Sequence, residues 1–202
     1  MRLISCIALI LIVTLGHAQF DNCVLRKNED EIKVYTCKSD NDRFKTLKAE
    51  FMVKNTTLEE LENFLRNVAN YPNWQYNMTS AEILKHHDDG TMITRSEIDA
   101  PWPVDNRELI AQFSVKRFAE KDHIQFTVKT FPTDHPETKG LVRVPFSHAQ
   151  WEVKKVNSNI NVVYTMSIDP GGSVPVWLVN MAMAEGPYIS FINLKKQLEK
   201  NK

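Results

Sequence analysis

The residues able to do chemistry are dispersed along this 202-residue chain. His86-His87, His123, His135 and His148 make no i, i+4 pair of the kind that grips a metal from one helix face, and His135 stands in a loop before Pro136. Cys23 and Cys37 alone make a poor zinc site, so no metal and no cofactor is expected. They flank a segment centred on Asn28-Glu29-Asp30, a turn former. A hairpin folded there brings both cysteines to its open end, where they form a disulfide or remain two free thiols on a strand pair. Gly171-Gly172-Ser173 reads as a turn followed by a helix cap. The chain carries neither a G-x-S-x-G serine elbow nor a phosphate-cradling glycine loop, so no enzyme motif stands out. Arg95, Glu97 and Asp99 alternate on one strand face and would form a solvated ladder if that face is outside. Arg143, Gln150 and Glu152 form the polar side of an otherwise apolar run and are expected to face solvent. Asn55-Thr56-Thr57 and Asn77-Met78-Thr79 are acceptor sequons only in a host that glycosylates exported proteins.

These residues need elements to position them. Arg2, an apolar run reaching Leu15, and Gly16-His17-Ala18 describe a secretory signal peptide over residues 1–18. The run falls short of the roughly 20 residues of a membrane span. Residues 19–202 then form a single domain with a sizeable core, exported to a periplasm or secreted, where a disulfide is permitted. The formal net charge is +0 with no basic tract, which leaves nucleic-acid binding without support. Leu47, Ala49, Phe51 and Val53 alternate as a strand, and Thr57-Leu58-Glu59-Glu60 matches a capping box before an apolar helical stripe at Leu61, Phe64, Leu65 and Val68. Strands follow from Thr79 to Lys154, with hairpin signals at Asp89-Gly90 and Glu120-Lys121-Asp122. The alternation of Val142, Val144 and Phe146 changes phase at Ala149, Trp151 and Val153, which predicts a bulge or bend near Ser147-His148. A last strand holds Val162, Tyr164, Met166 and Ile168.

The final segment, 174–200, is the only long element left to cover one face of an antiparallel sheet. Trp177, Met181, Ala184, Tyr188 and Phe191 share one broad face, and its first half is apolar almost all round. Either it is a plain core helix, or one side packs on the sheet while the other lines a cavity, where Met181 and Met183 suit a flexible apolar guest. Pro187 predicts a kink.

Several segments, in order, resemble START domains, the steroidogenic-acute-regulatory-related lipid-transfer family. They are Ile32–Thr36, Ala100-Pro101-Trp102-Pro103-Val104-Asp105-Asn106-Arg107, Lys139–Arg143, the strand at Trp151, and Ser167–Asn180. The resemblance covers nearly all of residues 22–198. It implies an α+β helix-grip fold, a curved antiparallel β-sheet wrapped around a long C-terminal helix with an internal hydrophobic cavity. It implies a lid at Ala100–Asn106, with Trp102 and Val104 closing over a guest or meeting a membrane. It implies that Arg107 is buried in the cavity with a carboxylate partner, Glu97 or Asp99. The ligand-binding set so defined is Glu97, Trp102, Val104, Arg107, Trp177, Met181, Ala184 and Tyr188. The expected function is non-enzymatic binding, and transfer with transient membrane contact, of one phospholipid, sterol or fatty-acid-like ligand. The competing readings are a polyketide-cyclase-like enzyme of the same superfamily and an interaction module with a collapsed cavity.

Overall fold

The computed structural model describes residues 22–38, 45–118 and 122–199, with the backbone alone at Val176, Trp177, Asn180 and Met181. The expected signal peptide and part of the turn at Glu120-Lys121-Asp122 lie outside the described residues.

Strands β1 (Cys23–Glu29) and β2 (Ile32–Cys37) form a hairpin through Asp30 and Glu31, whose φ angles of 51° and 61° give the mirror-image turn that matches strand twist. The register sets Cys23 opposite Cys37, and the two are joined by a disulfide. Strand β3 (Thr46–Val53) buries every second residue, Leu47, Ala49, Phe51 and Val53. Helix α1 (Leu58–Arg66) starts at the expected box: Thr57 Oγ1 accepts from the Glu60 amide at 3.1 Å, and the Glu60 carboxylate accepts from the Thr57 amide at 2.7 Å. A 3-10 turn over Val68–Asn73 follows.

Seven strands and a helix complete the chain: β4 (Met78–His86), β5 (Met92–Ile98), β6 (Asn106–Arg117), β7 (His123–Thr130), β8 (Leu141–Arg143), β9 (Phe146–Val156), β10 (Asn159–Asp169) and α2 (Val176–Glu199). The sheet order is β1-β2-β3-β10-β9-β7-β6-β5-β4, antiparallel throughout, with β8 added parallel to β6. The early hairpin thus joins the last strand through β3, which pairs with β2 on one side and β10 on the other, and α2 lies across the face so formed. Phe191 of α2 stacks on Phe51 at 4.6 Å and meets Trp151 and Tyr164 edge-on at 5.6 and 5.1 Å. Burial of side chains of this size contributes about 1.5–3 kcal/mol each.

The expected bulge or bend near Ser147-His148 takes the form of a change of strand just before it, around Pro145. Leu141–Arg143 runs beside β6, the Val144 amide donates to the Glu108 carbonyl at 2.9 Å, and β9 begins at Phe146 against β7 and β10. Pro145 has no N–H and cannot extend either ladder, so the alternation restarts in a new phase.

Candidate functional site

Arg107 and Glu108 are neighbours in β6, so their side chains leave the sheet on opposite faces. Both are buried, at 7% and 1% exposure, and each organises one side.

On the outer face, Glu108 accepts from Arg95 Nε at 2.6 Å, Arg143 Nε at 2.7 Å and Thr138 Oγ1 at 2.6 Å. Burial alone pushes this carboxyl up; the three donors outweigh it and hold it at about 2. Arg95 also reaches Glu97 at 2.5 Å and Glu82 at 3.3 Å, and Arg143 donates to the carbonyls of His135 and Pro136. This network pins the 131–144 excursion onto the sheet. Glu97 belongs to it, away from the cavity, and does not pair with Arg107. Arg143, expected in solvent, is one of its clamps.

The inner face encloses two chambers. The outer one, about 260 Å³, lies between the loop Ala100–Asp105 and the start of α2, and is lined by Tyr76, Val104, Arg107, Leu178, Met183 and Pro187 among others. The inner one, about 170 Å³, runs between Trp74, Phe113, Trp151 and Tyr164. Ile98, Met166 and Ile168 border both. The polar groups of the inner chamber are Gln75, Thr94, Ser96, Ser147, the hydroxyls of Tyr71 and Tyr164 and the indole N–H of Trp74, with no carboxylate, imidazole, amine or guanidinium among the described residues. Burial pushes the Tyr164 phenol well above its ordinary range, so it stays neutral.

Asn106 staples the loop over the outer chamber: its amide donates to Asp99 Oδ1 at 2.8 Å and its carbonyl oxygen accepts from the Ala100 amide at 3.0 Å. Trp102 at the tip is 92% exposed. Arg107 ties the loop to the approach of α2, donating to the carbonyls of Asp105, Pro170 at 3.3 Å and Gly171 at 3.2 Å. Burial lowers its pKa against a smaller opposing pull from Asp105, and a guanidinium remains charged.

Of the sequence-derived set, Val104 and Arg107 line the outer chamber together. Trp102 stands outside it in solvent. Ala184 is half-buried against the core and does not line either chamber. Tyr188 faces the hairpin tip, donating to Asp30 Oδ2 at 2.7 Å under the ammonium of Lys27, 4.5 Å from the ring centre. The side chains of Trp177 and Met181 lie outside the described residues. Sequence reasoning missed Met166 and Ile168 as shared walls; their alternation with Tyr164 marked the face but not the void in front of it. Among the described residues, no group of three His, Cys, Asp or Glu could hold a metal ion, and no helix is long and apolar enough to cross a membrane.

The chain has relatives in sequence and in structure. It is 28% identical to an uncharacterized protein of Pseudomonas aeruginosa over 92% of this chain and 91% of that one. It is 23% identical to the ceramide transfer protein of Mus musculus, over 85% of this chain but 30% of that protein. The crystal structure of a STAR-related lipid transfer protein fragment from Xanthomonas axonopodis superposes with a TM-score of 0.81 at 27% identity, covering 89% of this chain and 100% of that fragment. The START domain model matches residues 15–199. With a helix-grip sheet, a gripped C-terminal helix and a match along most of its length, the chain belongs to the START domain family.

Proposed function

We propose that the protein binds one apolar ligand in the joined chambers and carries it between membranes without chemical change. The observation that carries this reading is an apolar void, lined by Met166, Ile168, Leu178 and Met183, beneath a loop that holds a tryptophan in solvent. Burial of ligand surface drives binding at about 25 cal/mol per Å². Trp102 supplies an amphipathic ring of the kind that settles at a membrane interface. The loop then lifts, the ligand exchanges, and the loop closes. The relatives include a ceramide transfer protein and a STAR-related lipid transfer protein, in keeping with a lipid guest. Asp99 and Arg107 line the outer chamber, while the described lining of the inner one is uncharged, a setting that suits a carrier better than a cyclase with an acid and base placed beside its guest. The Cys23–Cys37 disulfide favours an exported setting, periplasmic or secreted.

Exchange of a fluorescent lipid between donor and acceptor vesicles tests the reading. Trp102→Ser is expected to slow exchange about tenfold, the loss of one interfacial aromatic worth ~1.5 kcal/mol, with thermal unfolding unchanged. No exchange by the unaltered protein would refute transfer.

A further inference from the structure

Arg107 differs from the other well-placed arginines. Arg95 and Arg143 each reach the Glu108 carboxylate within 2.6–2.7 Å, and Arg66 reaches Glu62 at 2.8 Å. Arg107 is more buried than any of them, yet among the described residues no carboxylate lies within ion-pairing distance of it. Its partners are three backbone carbonyls, which are dipoles and leave the charge uncompensated. A guanidinium has five N–H donors, so two remain without a protein acceptor. Asp99 and Asp105, at either side of the loop, are exposed, and water weakens their pull on a buried cation. A buried charge in that condition is costly unless something pairs with it. Arg107 borders the outer chamber, where a ligand is the remaining source of a counter-charge.

The inner chamber sets the direction. Its polar groups are uncharged, so an ionic head driven into it would lose its water with no opposite charge to replace it. The two chambers, at about 260 and 170 Å³, together fall in the lower part of the roughly 300–1,000 Å³ range of ligand pockets. That suits one apolar chain or ring system rather than a bulky two-chain lipid.

We infer that the ligand is a single-chain or similarly compact amphiphile with an oxyanion, carboxylate or phosphate, that pairs with Arg107 in the outer chamber while its apolar remainder occupies the inner one. This inference rests on the carrier reading above and narrows its ligand class. The head lies beneath the loop and is the last part to enter and the first to leave.

The test compares parinaric acid, a fluorescent fatty acid, with its uncharged methyl ester on the purified full chain at pH 8. The acid is expected to bind at least about tenfold more tightly, the lower end for a hydrogen bond to a charged group. Arg107→Gln, which keeps amide donors but removes the charge, is expected to abolish the preference, so that the variant binds acid and ester equally. Competition by monohexadecyl phosphate against the acid then tells which oxyanion the site prefers. Equal binding of acid and ester by the unaltered protein would overturn the inference and leave the carrier reading standing; this comparison needs no variant to fold. A preference for the acid that survives in Arg107→Gln would overturn the assignment to Arg107. If neither probe binds, the inference fails, and the vesicle exchange assay decides the carrier reading separately.

Discussion

At the scale of single residues, Arg107 and Glu108 show how one step along a strand separates two jobs. Glu108 holds the outer face together, and its replacement leaves Arg95 and Arg143 without their shared acceptor. Glu108→Gln is therefore expected to lower unfolding free energy by about 3–5 kcal/mol, the range for breaking a buried ion pair, read as a shift in urea midpoint. The pH dependence has a definite sign. The folded carboxyl sits at about 2, below the ordinary 4.5, so its contribution is full above pH 4.5 and is lost as pH falls through 2. The gap in stability between the unaltered protein and Glu108→Gln should close across that window. A gap that stays constant from pH 5 to pH 2 would contradict the assignment. Gly171 makes a second residue-scale case. Its φ of +68° favours glycine, and an added Cβ would lie 2.9 Å from Pro145 Cδ and 3.1 Å from the Arg143 carbonyl. Gly140 has a similar φ of +86° with open space around it. Gly140→Ala should cost about 1–2 kcal/mol from backbone handedness alone, and Gly171→Ala measurably more. Equal urea midpoints for the two would show that the crowding at Gly171 has no energetic weight.

At the scale of elements, the hairpin β1–β2 is fastened at both ends. The disulfide closes its base, and Tyr188 and Lys195 of α2 hold its tip through Asp30 and Glu31. With a sequence separation of 14 residues, the crosslink should be worth about 3 kcal/mol. Reduction is expected to lower Tm by roughly 2–4 °C for each kcal/mol, seen by scanning calorimetry with and without reductant. An unchanged Tm on full reduction would mean that the helix contacts alone hold the hairpin. Much of this level was legible in the sequence, because local chemistry decides it: the hairpin turn, expected at Asn28-Glu29-Asp30 and found at Asp30-Glu31, the Thr57–Glu60 box, the alternation at Leu47–Val53, and the glycine turn before α2. The partners across strands were not. The bridging of Glu97 and Glu108 by Arg95 depends on the β5–β6 register, which sets Glu97 opposite Glu108 and Ile98 opposite Arg107. Alternation gives the relative faces of Arg95, Glu97 and Arg107 only once that register is known. Tyr188 shares the apolar stripe of α2, and no periodicity announces that a hairpin from the other end of the chain meets its hydroxyl. The break at Pro145 was visible as a phase change but has two structural solutions, a bulge or a new strand.

At the scale of the whole molecule, the sheet grips the second half of α2 through Phe191 and Leu194, while the first half borders the outer chamber with Leu178, Ala182 and Met183. This division explains a helix that is apolar almost all round at its start and polar only near its end. The void exists because α2 and the loop at Ala100–Asp105 stand off the sheet where Arg107 ties them together. Native mass spectrometry of the protein purified from its own host, followed by extraction of whatever it holds, tests the central claim most directly. The account predicts a reproducible one-to-one adduct of an apolar molecule. A protein that emerges empty and fails to take up fluorescent fatty acids, phospholipids or sterols would contradict it.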